Sequence, residues 1–301
     1  MKVLITGATG MIGQELVVFL LKNNVKVNYL STSKDKLVSK ENYKGYYWNP
    51  IANDIDLKAF EGVSVIYHLA GATVAKRWTS FYKKEILESR ILPTKLLFTT
   101  LQNNSHQVNQ IVSASAVGIY PDSLEFIYNE ENKNVDASFL GKVVQKWENE
   151  VDAFNALNIL VSKIRIGIVL SNKGGALPKI VAPIKYGFGA TFGSGSQSQS
   201  WIHIDDLIHI FHFVTSNKLE GVYNAISPYP ISNKEMTMAI AKFLKRPLWL
   251  PNIPKLVMKL ILGEMYILLF SSQNVSALKI LNQGYQFKYA TIDKALISLL
   301  K

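Results

Sequence analysis

Residues Lys2 to Gly13 read KVLITGATGMIG, and this dozen constrains the fold more than any other stretch of the chain. Val3-Leu4-Ile5 is an apolar run suited to a strand buried on both faces. Gly7, Gly10 and Gly13 follow, and then an amphipathic stretch begins. In a strand-to-helix turn the first glycine permits the tight bend and the second lets the backbone approach a pyrophosphate. The third lets the helix pack close to the strand, and the free N–H groups of Met11, Ile12 and Gly13 at the helix start then face the phosphates. The spacing is G-x-x-G-x-x-G, and the strand before it and helix after it are the context such a motif requires. The turn, with Thr9 inside it, points to a bound dinucleotide.

The rest of the first half repeats the alternation. Strands are expected at Lys2–Thr6, Val25–Leu30, Tyr43–Trp48, Val63–Ala70, Gln110–Ala114 and Ile159–Ile166. Helices are expected at Met11–Asn23, from about Thr79 to Leu101 with Thr79 or Ser80 as N-cap, and over Asp136–Leu157. Strands alternating with helices imply a doubly wound parallel α/β sheet of the Rossmann type. Beyond residue 168 the pattern breaks into glycine-rich loops, a strand at Gly221–Ala225 and terminal helices. We read residues 1–168 as a dinucleotide-binding domain and 169–301 as a smaller substrate-side α/β lobe woven into it, ending in a helical region.

Composition narrows the function. The chain has no cysteine, which excludes disulfides and thiolate metal sites and fits a reducing cytoplasmic compartment. Met1-Lys2 leads directly into the first strand, so no secretory leader is expected. The stretch Leu256–Phe270 is interrupted by Lys259, Gly263 and Glu264 and is too short to span a bilayer. It fits a buried helix of the C-terminal lobe better than a peripheral amphipathic one. The net charge is +11, but the lysines are scattered without aromatic interleaving, so neither nucleic acid nor membrane is an expected partner.

With these pieces placed, the chain resembles the extended short-chain dehydrogenase/reductase superfamily of nucleotide-sugar epimerases and dehydratases. The resemblance rests on TGATGMIG at Thr6–Gly13, HLAG at His68–Gly71 and SASAVGIY at Ser113–Tyr120. Within it, Arg77-Trp78-Thr79, Glu88-Ser89-Arg90, Gly193-Ser194-Gly195, Ser200–Leu207 and Gly284–Phe287 are similar to one NAD(P)-dependent branch. That branch is epimerase-like, of unassigned substrate, and also goes by sugar-nucleotide epimerase or cell-division-inhibitor-like. The resemblance spans essentially the whole chain. It implies an oxidoreductase-like or epimerase-like protein, monomeric or homodimeric, acting on a small molecule, with a nucleotide sugar among the candidates. A catalytically weak sensor of the cofactor is the alternative.

The second strand ends Leu30-Ser31-Thr32-Ser33-Lys34, with no acid at its tip to take the ribose hydroxyls. Ser31, Thr32 and Lys34 offer donors to a 2′-phosphate, so NADP(H) is expected ahead of NAD(H). The resemblance adds Leu69, Ala70 and Gly71, Ser113, Arg165 and Gly167, and Arg90 to the cofactor side.

The proton-transfer pair of such reductases, Tyr-x-x-x-Lys on one helix face, is missing. None of the 14 tyrosines has a lysine four residues later. Phe139 and Val143 stand where the pair is expected and form an apolar stripe with Trp147, while Lys142 and Lys146 lie off it. Ser115 then either contacts a substrate oxygen or satisfies strand-end backbone. Tyr120 either supplies a phenol or belongs to a lid. An arginine among the apolar neighbours of Arg90 requires an anionic or carbonyl partner if buried. His203-Ile204-Asp205-Asp206 has poor ligand spacing, so no metal is expected and His203 reads as structural or substrate-contacting. His209 and His212 read as core packing.

Overall fold

A computed structural model describes residues 1–301. Its central sheet holds seven parallel strands: β1 (Lys2–Thr6), β2 (Lys26–Ser31), β3 (Tyr43–Asn49), β4 (Val65–His68), β5 (Gln110–Ala116), β6 (Leu160–Ile166) and, late in the chain, Gly221–Ala225. Their spatial order is the 221–225 strand, β6, β5, β4, β1, β2, β3, with two-residue antiparallel strands edging β3. The order reverses at β1, which lies between β2 and β4. A crevice therefore opens above the carboxyl ends of β1 and β4, where ligands of such sheets sit.

Helices α1 (Met11–Lys22), α2 (Ser80–Asn103) and α3 (Phe139–Asp152) connect these strands. Thr79 caps α2, its hydroxyl accepting the Tyr82 N–H at 3.1 Å. Ser138 caps α3 in the same way, accepting from Gly141 at 3.3 Å. Two boundaries are shorter than the sequence suggests. β4 ends at His68 because the N–H groups of Leu69 and Ala70 turn to the Thr6 hydroxyl, each at 3.1 Å. The expected helix over 136–157 is α3 followed by a separate 3₁₀ turn, Ala153–Leu157.

The second half has its own strands at Ile168–Ser171 and Trp201–His203, paired in parallel, and helices α4 (Leu177–Lys185), α5 (Ile204–Ser216) and α6 (Asn233–Phe243). Its strand 221–225 completes the main sheet beside β6. A small four-stranded sheet joins Ser123–Tyr128 to segments near residues 198, 231 and 273, tying both halves together. No helix is long and apolar enough to cross a membrane. The expectation of a buried helix over Leu256–Phe270 is corrected: α7 (Lys255–Leu262) buries no residue, and Leu256 and Leu260 are 69% and 75% exposed. Its apolar residues face outward, and the segment after it packs, through Met265 and Leu268, against the cluster of Trp78, Tyr82, Ile86 and Val143.

Candidate functional site

A cleft of about 800 Å³ lies over the crevice between β1 and β4. Gly7, Thr9, Ala70 and Gly71 line one end, Ser31, Thr32, Ser33 and Lys36 the middle, and Tyr47 to Ile51 the other end. α2 contributes Phe81, Glu85, Glu88, Ser89 and Pro93 along the far wall. The volume suits a nucleotide-sized ligand.

The glycine turn is built for close approach. Gly7 has φ +72°, and a Cβ there would lie 2.8 Å from the Leu69 carbonyl carbon. A Cβ on Gly13 would lie 2.2 Å from the Gly7 carbonyl oxygen, so α1 packs against the turn at a distance only glycine allows. Gly10 is different. Its added Cβ would meet only the Gly7 oxygen, at 3.3 Å, so this glycine keeps open the space above the turn rather than a packing contact. Gly10 is also the N-cap of α1 and offers no side chain to the helix's free N–H groups, and no acid stands in the first turn. Met11 and Ile12 begin the helix, and that end carries unneutralised positive potential facing the cleft.

At the tip of β2 the Ser31 hydroxyl closes a local turn, donating to the Ser33 carbonyl and accepting its N–H, both at 3.1 Å. Thr32 is exposed on the cleft wall. Lys34 is placed differently from the expectation. Its ammonium lies over the Tyr47 ring, 5.0 Å from the centroid, and Lys36 lines the cleft instead. The Tyr29 phenol holds that loop from below, donating to the Lys36 carbonyl and accepting the Val38 N–H at 2.7 Å each.

Beneath the glycine turn sits His68, fully buried at the end of β4. Its Nδ1 meets the Thr6 hydroxyl at 2.8 Å and its Nε2 the Thr94 hydroxyl at 2.9 Å. The Thr94 proton is committed to the Arg90 carbonyl at 2.6 Å, so Thr94 accepts from Nε2–H and Nδ1 accepts from Thr6. The Thr6 oxygen, in turn, accepts the Leu69 and Ala70 N–H groups. Burial lowers the His68 pKa to about 4, so the ring is neutral and this one-directional chain is fixed.

Ser115, Tyr120 and Arg165 form one buried network, with Glu148 of α3 at its centre. Arg165 donates Nε and Nη2 to the two Glu148 oxygens, at 2.8 Å each, and Nη1 to the Tyr120 phenol at 2.9 Å. Ser115 donates to Glu148 at 2.5 Å, and Tyr120 donates to Asn224 at 2.8 Å. Burial pushes the Glu148 carboxyl up, but the Arg165 hydrogen bonds and charge outweigh it and hold the pKa low. The Tyr120 phenol is raised, by burial first, against the opposing pull of Arg165. Three corrections follow from this geometry. Tyr120 is core rather than lid, each of the three Arg165 nitrogens already donates to a group of the protein, and the Ser115 hydroxyl is directed at a carboxylate. The Ser113 hydroxyl also turns inward, to the Ala114 carbonyl at 2.9 Å. Gly167 is required by packing, since a Cβ there would lie 2.3 Å from the Ser200 carbonyl oxygen.

The α3 face where a Tyr/Lys pair is expected is apolar. Val143 is buried with Trp78, Tyr82 and Ile86, and Phe139 packs at the edge of this group with its ring 5.4 Å from Trp78. Lys142 and Lys146 are exposed. Arg90 lies on the facing helix, its Nη1 donating to the Ile86 carbonyl at 2.8 Å and Nη2 to the Ala72 carbonyl at 3.2 Å. Its partners are carbonyls, one of the two kinds its surroundings require. Burial lowers its pKa to about 10, so it remains a cation at neutral pH.

His203 is buried and stacked on Tyr289, centroids 3.7 Å apart, with Nδ1 accepting the Asp205 N–H at 3.0 Å. Asp206 accepts the N–H groups of Lys288 and Tyr289, each at 2.9 Å, and so latches the C-terminal segment to α5. No three His, Cys, Asp or Glu side chains cluster as metal ligands. His209 and His212 are not core: both are half-buried and pack edge-on against Phe19 of α1. Sequence reasoning missed Glu148, although it carried a signal. It is an acid inside the otherwise apolar series Val144, Trp147, Val151 of α3. It also missed the relay through Thr6, His68 and Thr94, which no linear spacing announces.

Comparison with known proteins fits this geometry. Residues 3–141 match the NAD dependent epimerase/dehydratase family, and residues 253–299 match a domain of unknown function, DUF1731. An epimerase family protein of Staphylococcus aureus is 36% identical over 305 residues, covering 99% of this chain and 98% of that protein. The crystal structure of the human epimerase family protein SDR39U1 with NADPH superposes with a TM-score of 0.86 at 28% identity, covering 99% of each chain. The nucleoside-diphosphate sugar epimerase from Corynebacterium glutamicum gives a TM-score of 0.79 at 29% identity, over 99% of this chain and 58% of that one.

Proposed function

The chain belongs to the NAD-dependent epimerase/dehydratase family, and from that premise we propose that it binds NADP(H) in the cleft above β1 and β4 and serves an epimerase-like or oxidoreductase-like reaction on a small molecule. The observation that carries this reading is the cradle itself. Gly7 and Gly13 hold a turn that no other residue fits, Gly10 leaves it open, and the acid-free start of α1 supplies N–H donors for a pyrophosphate. When bound, the nicotinamide supplies a hydride donor or acceptor. The chain's own work is to hold the adenine half between the β3 end and α2, and to offer Thr32 and Lys36 to the 2′-phosphate, with Lys34 on Tyr47 beside it and Ser31 closing the turn beneath. NADPH bound to the human relative supports the phosphate-bearing cofactor. The absence of cysteine supports a reducing, cytoplasmic setting. A nucleotide sugar is the proposed substrate class, in keeping with the name of the Corynebacterium relative, a nucleoside-diphosphate sugar epimerase.

We further propose that Ser115 and Tyr120 position α3 and β6 rather than transfer protons, because both hydroxyls are buried and committed to other groups. A second reading, a module that reports NADP(H) with little turnover, is favoured by one observation: the α3 face carrying Phe139 and Val143 is packed against Trp78, Tyr82 and Ile86. The deciding experiment is titration with NADPH and NADH by tryptophan fluorescence, followed by turnover assays with carbonyl compounds and nucleotide sugars. NADPH is expected to bind more tightly, with Lys36→Ala narrowing the difference roughly 10-fold through loss of a charge-assisted bond and Lys34→Ala, whose ammonium lies over Tyr47, narrowing it less. Equal affinities, or tighter NADH, overturn the phosphate assignment. Tight NADPH binding without turnover on any compound selects the sensor reading.

A further inference from the structure

We infer that Arg90 clasps the nicotinamide-ribose half of the dinucleotide, supplying from α2 the cation that the Phe139/Val143 face of α3 lacks. The inference rests on the NADP(H) reading above and assigns a task within that site. Three cations are largely buried in this region of the fold, and two of them are neutralised. Arg165 forms a two-pronged pair with Glu148, and Lys163 lies 2.6 Å from Asp152. Arg90 has no carboxylate partner, only the Ile86 and Ala72 carbonyls. A guanidinium carries five N–H donors, so donors remain beyond these two bonds. Burying a cation with dipoles alone is costly, and a ligand's acceptor atoms would relieve that cost.

Its location fits the assignment. The Arg90 Cζ would lie only 3.2 Å from a Cβ on Gly71, a residue of the cleft wall, so the guanidinium sits directly behind a wall that has no side chain. The neighbouring Ser89 also lines the cleft, and its hydroxyl holds the Ala72 N–H at 2.9 Å, fixing the loop against Arg90. On its other side Arg90 stacks on Trp147, with Cζ 5.2 Å from the ring centroid. Trp147 is one helical turn beyond Val143, where the missing lysine is expected. The indole Nε1 of Trp147 is itself buried without a hydrogen-bond partner. A surplus of donors, an uncompensated charge and an open wall thus converge at the end of the cleft away from Ser31 and Lys36. Ribose hydroxyls, a carboxamide oxygen and a phosphate are the acceptors that a dinucleotide brings to that end.

The test separates the two halves of the cofactor. NADPH and 2′,5′-ADP, which lacks the nicotinamide half, are titrated against wild type, Arg90→Gln and Arg90→Lys, with circular dichroism and melting temperature recorded for each. Arg90→Gln is expected to weaken NADPH roughly 10- to 100-fold, the loss of a charge-assisted bond, and to leave 2′,5′-ADP within about twofold. Arg90→Lys should recover part of the loss, and it carries the comparison if the glutamine variant does not fold. Equal weakening of both probes overturns the inference, because Arg90 then acts through the fold. Unchanged NADPH affinity also overturns it. If wild type binds neither probe, the NADP(H) reading fails first and the Arg90 assignment with it.

Discussion

Replacing Glu148 by glutamine should be among the most damaging single-atom changes this chain can suffer. The carboxylate accepts two 2.8 Å bonds from Arg165 and one from Ser115, and the Lys163 ammonium lies 3.9 Å away. All four groups are buried, so solvent cannot replace the lost charge. Removing one partner of a buried pair leaves the other uncompensated, at about 3–5 kcal/mol. With an unfolding entropy of about 2.1 cal/mol/K per residue, 301 residues give roughly 0.6 kcal/mol/K, so Glu148→Gln should melt about 5–8 °C lower. Ser115→Ala removes one hydrogen bond to a charged group, about 1.5–3 kcal/mol, and should melt about 2–5 °C lower. Replacing the pair together, Glu148→Leu with Arg165→Met, should recover much of the loss because no buried charge is left alone. Differential scanning calorimetry on the four proteins, with NADPH affinity measured alongside, reads these effects. A Glu148→Gln melting temperature within 1 °C of wild type, on the scale of about 0.6 kcal/mol, would refute the argument. So would Ser115→Ala losing turnover about 10²-fold at unchanged stability, since that is the signature of proton transfer.

Stability should also fall on acidification through His68. Its folded pKa of about 4 lies below the ordinary 6.5, so the unfolded chain takes up the proton first and folding weakens as pH drops from about 6.5 toward 4. Between pH 7.5 and 5 this one group accounts for about 2 kcal/mol, measurable by urea titration at each pH, and an unchanged midpoint would contradict the neutral relay. The glycines should separate in kind: Gly10→Val is expected to abolish dinucleotide binding with circular dichroism intact, because its Cβ meets only the Gly7 oxygen at 3.3 Å. Gly13→Ala, whose Cβ would clash at 2.2 Å, should destabilise the fold itself; a folded Gly10→Val protein that still binds NADPH removes the turn from the site.

The elements that position the site were legible because their information is local. The apolar run, the three glycines and the amphipathic helix fixed β1, the turn and α1 in register, and Thr79 announced the start of α2. The β2 tip was readable as acid-free, but which lysine enters the cleft was not. That choice depends on the Tyr29 phenol pinning residues 36 to 38 from within the sheet, a contact across the loop. Ser115 and Tyr120 read as candidate catalytic groups and Arg165 as a cofactor contact, yet their partner Glu148 arrives from 33 residues beyond Ser115 and draws all three into one internal network. Spacing in one dimension gives the position of a polar residue, while its role depends on which other polar group reaches it first. The α7 helix failed for the opposite reason. Its composition resembles a core segment, and only the tertiary arrangement reveals that nothing covers its apolar stripe.

The strand at Gly221–Ala225 pairs with β6 along its whole length, yet more than 50 residues separate them. During synthesis the first six parallel strands are therefore complete while β6 still presents an open edge. At about 5–20 residues per second, the ribosome needs several seconds to deliver the strand that covers it. An uncovered parallel edge is a template for pairing with another nascent chain. β6 itself carries three polar side chains, Ser162, Lys163 and Arg165, among its apolar ones. Charges spaced along that edge are poor partners for a second copy of the same strand until Asp152 and Glu148 neutralise the lysine and the arginine in the folded chain.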